Sequence, residues 1–137
     1  MATPPVHITR YATPLARVRG FGAAKSGTAH WWHQRITSIA LLPLSLWFVF
    51  SAAMLAGKPY PVVALWIGHP FNAALLLATI AFSAHHVAAG LQVVVEDYVR
   101  NDGAKVAGIL AVKGLCIFLA LLSALAVLRL VVVRVLV

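Results

Sequence analysis

The sequence predicts an all-α membrane protein built around three transmembrane helices, and three observations carry that reading. Of 137 residues, 62% are hydrophobic and only 10% charged, too little polar surface to cover the core of a soluble domain this size. The apolar residues stand in long blocks, each near the roughly 20 residues that cross a bilayer's hydrocarbon core. Nearly all the remaining charges sit in a tail, in the connections or near block ends, where membrane proteins keep them.

Residues 1–29 read as a basic polar tail. Pro4, Pro5 and Pro14 interrupt it, and Arg10, Arg17, Arg19 and Lys25 charge it without a single acid. Gly20, Gly22 and Gly27 argue against a long helix there. No sustained apolar core of a secretory signal is visible, so the first span is expected to act as its own insertion signal. Residues 30–137 form the anchor, with spans expected near 33–57, 69–99 and 104–134.

The segment HWWHQR at 30–35 stands at the edge of the first span. Its tryptophans read as interfacial anchors and Arg35 as a side chain reaching the headgroups. Pro43 is expected to kink that span without ending it. The connection at 57–70 carries Lys58, Pro59, Pro61, Gly68 and Pro70, with a short helical or extended piece near 61–67 lying along the interface. Pro70 suits a first helical turn, which starts the second span near His69. Running to about Val99 at about 1.5 Å per residue, that span outreaches a roughly 30 Å core and must project or tilt. Asn101, Asp102 and Gly103 read as a tight turn. The third span follows from about Ala104 to Arg134, with Lys113, Arg129 and Arg134 able to snorkel. The single cysteine, Cys116, lies within this span and excludes an intrachain disulfide.

The net charge of +8 does not indicate nucleic acid, because the basic residues form no aromatic-interleaved face. It indicates positive-inside topology and attraction to anionic lipid. The tail and the second connection share one side and hold Arg10, Arg17, Arg19, Lys25, Arg35, Arg100 and Lys105. That side is expected to be cytoplasmic.

Histidines inside a membrane span are by default functional. His85 and His86 stand twelve or so residues, about 18 Å, before Tyr98 and thus near mid-bilayer. A ligand to haem iron, a proton relay, an interhelical hydrogen bond and a plain polar core residue all fit. Small residues one turn away suit a flat macrocycle: Ser83, Ala89 and Gly90 about His86, Ala81, Ala88 and Ala89 about His85. Spacing alone does not choose between them. Glu96, Asp97 and Tyr98 close the run, and acids at a helix C-terminus oppose its dipole.

The run HHVAAGLQVVVEDYV, preceded by HWWHQRITSIALLPLSLWFV, resembles the smaller hydrophobic anchor subunit of succinate dehydrogenase, respiratory complex II, in its alphaproteobacterial and mitochondrial branch. The shared pattern is a histidine, glycine four residues on, then aspartate and tyrosine at eleven and twelve. The resemblance implies that His86 is an axial ligand of haem b and that Tyr98 donates a hydrogen bond to a ubiquinone carbonyl, with Asp97 beside it. It places His30 and Arg35 in the region that meets haem propionates. His85 has no counterpart in the pattern and is expected to stand next to the ligand, or to serve structure.

No other histidine in this chain reaches the right depth from another span: His7 is in the tail, His30 and His33 lie at one edge and His69 at the other. A low-spin haem usually takes two axial ligands, so the second is expected from a partner, which the family supplies as a larger cytochrome b anchor subunit. The family's iron–sulfur and flavoprotein subunits are further expected partners. The chain lacks a nucleotide-binding motif and cysteine clusters, so it is expected to have no succinate chemistry of its own. The expected location is a bacterial inner membrane, multi-pass with the N-terminus cytoplasmic, with the mitochondrial inner membrane as the alternative. Two alternatives remain at this stage: a haem-free scaffold anchor of a related fumarate reductase or quinone oxidoreductase, and a small proton channel or transporter using the histidine pair.

Overall fold

The computed structural model describes residues 27–136; the tail at 1–26, with His7 and its four basic residues, lies outside the described residues. Four helices follow one another: α1 (Gly27–Leu55), α2 (Tyr60–Ile67), α3 (Pro70–Tyr98) and α4 (Asp102–Leu136). Of these, α1, α3 and α4 are long and apolar enough to cross a membrane. The protein is an all-helical, multi-pass membrane protein.

The first helix begins at Gly27, so residues 27–29 belong to it and not to the irregular tail that the glycines and prolines suggested. One glycine at the end of a helix costs only about 1 kcal/mol, which the long apolar continuation outweighs. Pro43 lies inside α1 and does not interrupt it. The helix stops at Leu55, and Gly57 takes a left-handed φ of 74°. There the chain turns, and the Lys58 N–H donates to the Leu55 carbonyl at 3.0 Å. The piece between the first two spans is helical: α2 places Pro61 in its first turn, and its Trp66 stacks on Trp47 of α1 at 5.7 Å between ring centroids.

Pro70 opens α3 as expected, with His69 as N-cap accepting from the Phe71 N–H at 3.3 Å. The reading of 101–103 as a tight turn is corrected. Asn101 Oδ1 accepts the Ala104 N–H at 3.0 Å and the Asn101 carbonyl accepts from Lys105 at 2.8 Å. Asn101 is thus an N-cap, and Asp102 and Gly103 already form the first turn of α4. The residues that favour a turn favour a helix start for the same reason, a side-chain oxygen that accepts backbone N–H bonds.

Helix α3 is the axis of the molecule, packed against α1 on one side and α4 on another, with α2 closing the end of the α3–α4 pair. The contacts are close because the residues are small. Ala73, Ala89 and Val127 are the buried apolar residues among those described, joined by Thr37 and Ser51. Membrane helices associate through such small and hydroxyl-bearing positions. Leu46, Phe50 and Leu125 point outward, as they should where lipid or another chain replaces water.

Candidate functional site

The antiparallel pairing of α1 and α3 brings together a polar cluster that is half-buried between the two helices. His86 Nδ1 lies 3.1 Å from Thr37 Oγ1, and His86 Nε2 lies 3.5 Å from Gln34 Nε2. Gly90, one turn beyond His86, faces the same side chain: a Cβ built there would meet Gln34 Nε2 at 3.6 Å, an ordinary contact. His33, one turn before Thr37, meets His85 edge-on with ring centroids 6.1 Å apart. Thr37 is buried, its hydroxyl within 2.9 Å of the His33 carbonyl and 3.0 Å of the Gln34 carbonyl. Gln34 Oε1 is buried without a hydrogen-bond partner, a state that costs about 1–3 kcal/mol.

The two histidines of the pair look in different directions. His86 is half-buried against α1, whereas His85 is exposed and lines a cavity of about 610 Å³ between α3 and α4. That cavity is walled by small residues such as Ala84, Ala88 and Ala120, with Gln92 and Lys113 at its polar end. Adjacent residues on a helix diverge by about 100°, so the two rings do not share a face: His86 lies against Thr37 and Gln34 of α1, while His85 sits at the edge of α1, touching His33, and turns toward α4.

The second group lies at the C-terminal end of α3. Gln92 donates to Glu96 at 2.7 Å, one turn apart. Asp97 and Tyr98 are exposed, Tyr98 at 82%. On the adjoining end of α1, Trp31 and Trp32 are half exposed and meet edge-on at 5.3 Å, and the Arg35 guanidinium lies over the Trp31 ring at 5.0 Å. The structure therefore brings His86 and Gly90 together with α1. It keeps Asp97 and Tyr98 about 18 Å along the helix from His86, and it sets the Arg35 guanidinium over the Trp31 ring. His30 lies in the first turn of α1, and its side chain is outside the described residues.

Thr37 and Gln34 are the site residues the sequence did not single out. A threonine in a membrane helix ordinarily returns its proton to its own backbone, so nothing in the string ITS marks Thr37. Its partner becomes visible only once the register of α1 on α3 is fixed.

What the cluster can hold follows from its donors. Among the described residues no group of three or more His, Cys, Asp or Glu side chains converges, which a metal held by protein ligands alone requires. A macrocycle that supplies its own equatorial donors needs one imidazole from a given side, and His86 is such an imidazole. The unpartnered Gln34 carboxamide opposite Nε2 is held there by little.

Comparison with known proteins bears on these features together. A family described as succinate dehydrogenase/fumarate reductase transmembrane subunit matches residues 9–132. The succinate dehydrogenase hydrophobic membrane anchor subunit of Rickettsia conorii is 32% identical over 108 residues, covering 78% of this chain and 86% of that one. Its counterpart in Rickettsia bellii is 36% identical, covering 75% and 82%. The succinate dehydrogenase membrane anchor subunit of Reclinomonas americana is 31% identical, covering 71% and 83%. No solved structure matches.

Proposed function

Because this chain belongs to the succinate dehydrogenase/fumarate reductase transmembrane subunit family, we propose that it is the small membrane anchor of a succinate:ubiquinone oxidoreductase. In this role it shares a haem b with a larger cytochrome b anchor subunit and forms one wall of a ubiquinone-reduction site. The observation that carries the proposal is His86, an imidazole near mid-span, oriented by a neighbouring helix and followed at the family's spacing by Gly90, Asp97 and Tyr98.

The chain's own residues then divide the work. His86 would hold a haem iron through a ring nitrogen, and Gly90 keeps the face of α3 one turn away free of a side chain. A bound haem supplies one-electron transfer at a potential tuned by its axial ligands and burial. At the end of α3, the Tyr98 phenol can donate a hydrogen bond to a quinone carbonyl, with the Asp97 carboxylate beside it. Arg35 and His30 stand on the adjoining end of α1, where propionates pointing toward that face would meet a cation. Electrons arrive from a docked iron–sulfur subunit, which receives them from a flavoprotein that oxidises succinate. The positive-inside rule supports a bacterial inner-membrane location with the N-terminus cytoplasmic.

A second reading of the histidine pair is favoured by one observation: His85, not His86, opens on the 610 Å³ cavity. Its edge-on contact with His33 fixes no tautomer, whereas His86 has a hydrogen-bond partner on Nδ1, as haem and metal imidazoles do. The test is the reduced-minus-oxidised spectrum of the solubilised complex. His86→Ala should abolish or shift the b-type band and His85→Ala should leave it in place. The reverse pattern would transfer the ligand role to His85, and an unchanged band in both would remove this chain from the haem site.

A further inference from the structure

We propose that Thr37 is the positioning residue for the His86 ring: its hydroxyl oxygen accepts the Nδ1 proton and leaves Nε2 as the bare nitrogen that faces iron. The inference rests on the reading of His86 as an axial ligand and deepens it, by assigning the tautomer and the group that sets it.

A neutral imidazole carries one N–H, and which nitrogen holds it depends on the partner of the other. Thr37 has a single hydroxyl proton, and two α1 carbonyls compete for it at shorter range than His86 does. Those of His33 and Gln34 lie at 2.9 and 3.0 Å, against 3.1 Å to His86 Nδ1. A threonine hydroxyl bonded back to the preceding turn is the usual state in a membrane helix. Its lone pairs remain free, so the contact with His86 is completed by the proton on Nδ1.

On the other side of the ring Gln34 Nε2 lies 3.5 Å from His86 Nε2, too long a contact to fix a proton by itself, so the tautomer rests on Thr37 alone. The Gln34 oxygen has no partner, so the carboxamide has little to hold it against Nε2 when a stronger acid takes that place. Thr37 is also well suited to hold a fixed direction. It is buried at 6% exposure, and its branched Cβ restricts rotation. A ligand nitrogen whose ring partner is hydrogen-bonded is both oriented and more basic. A hydroxyl acceptor on Nδ1 therefore strengthens donation from Nε2 and favours the oxidised iron.

The test uses the full complex, purified from membranes and checked for subunit ratio, with Thr37→Val, Thr37→Ala and Thr37→Ser beside His86→Ala. Thr37→Val and Thr37→Ala should raise the haem midpoint potential and broaden the low-spin ferric EPR signal, while Thr37→Ser retains the wild-type values. Alanine only removes atoms, so it stands in if valine blocks assembly. Wild-type potential and EPR in both hydroxyl-free variants would overturn the inference. An equal change in all three Thr37 variants, serine included, would also overturn it by assigning the effect to packing. Failure of the ligand reading itself is seen separately, as an unchanged spectrum in His86→Ala.

Discussion

At the scale of single residues, Tyr98 is the clearest case of a side chain whose position is explained twice. Aromatic residues gather at membrane interfaces because one end of the ring is apolar and the other wet, and an 82% exposed tyrosine at the end of α3 needs no other reason to be there. What separates a belt residue from a quinone contact is whether the phenolic O–H matters. Tyr98→Phe keeps the ring and deletes the donor. A neutral hydrogen bond is worth about 1 kcal/mol net, so quinone reduction should fall about fivefold, while succinate oxidation with a water-soluble artificial acceptor holds steady. Equal loss in the two assays would return Tyr98 to the belt. The sequence exposed Tyr98, Asp97 and His86 because they are unusual where they stand: a ring and an acid closing an apolar run, a titratable group within it. Thr37 and Gln34 were hidden for the opposite reason. Each has an ordinary local account, and only the pairing of Thr37 and Gln34 on α1 with His86 on α3 gives them a shared one.

At the scale of elements, the short α2 is held where it is by the absence of a side chain. Gly68, just past its last turn, is buried, and a Cβ there would lie 2.7 Å from the Leu130 carbonyl oxygen and 3.1 Å from Arg134 Cβ. The first of these is backbone and cannot swing aside. Two helix ends meet at this point: Arg134, in the last turn of α4, donates to the carbonyl of Leu65 in the last turn of α2, satisfying one of the acceptors that every helix leaves open at the end where a cation is favoured. Gly68→Ala must move α2 off α4 and break that bond, which should cost about 1–3 kcal/mol, as overpacking elsewhere does. Gly114, in mid-α4 with nothing within 4 Å of a built Cβ, is the matched control. There alanine should be neutral or stabilising by about 0.5–1 kcal/mol through helix propensity. Thermal loss of the detergent-solubilised complex, followed by subunit dissociation, ranks the pair; a Gly68→Ala midpoint equal to that of Gly114→Ala would dissociate α2 packing from stability. None of this was legible in the sequence, where Gly68 reads only as loop punctuation. The start of α4 was partly legible: the residues 101–103 announced a boundary, and a capping oxygen, not a tight turn, is how the chain uses them.

At the scale of the whole molecule, the architecture was legible because the bilayer leaves so few choices. With no water to satisfy backbone groups, long apolar blocks can only be helices, and their number follows from length. Their orientation is proposed from charge. Seven of the eleven basic residues, Arg10, Arg17, Arg19, Lys25, Arg35, Arg100 and Lys105, belong to the tail, the adjoining end of α1 or the α3–α4 connection, all on one side of a three-span bundle. Lys58, Arg129 and Arg134 belong to the other, and Arg134 is already engaged by the Leu65 carbonyl. On the proposed function this balance should put the α3–α4 connection, and with it Asp97 and Tyr98, on the cytoplasmic face, where the proposed soluble electron donor would dock. Cysteine accessibility tests this directly. In a chain whose only native thiol has been removed by Cys116→Ala, Lys58→Cys should react with an impermeant maleimide added outside intact spheroplasts, and Arg100→Cys should react only after the membrane is opened. The opposite pattern would put Tyr98 on the far side of the membrane from any cytoplasmic iron–sulfur subunit. A quinone reduced there would then have to draw its electrons across the full thickness of the bilayer, and the proposed site at the end of α3 would have to be given up.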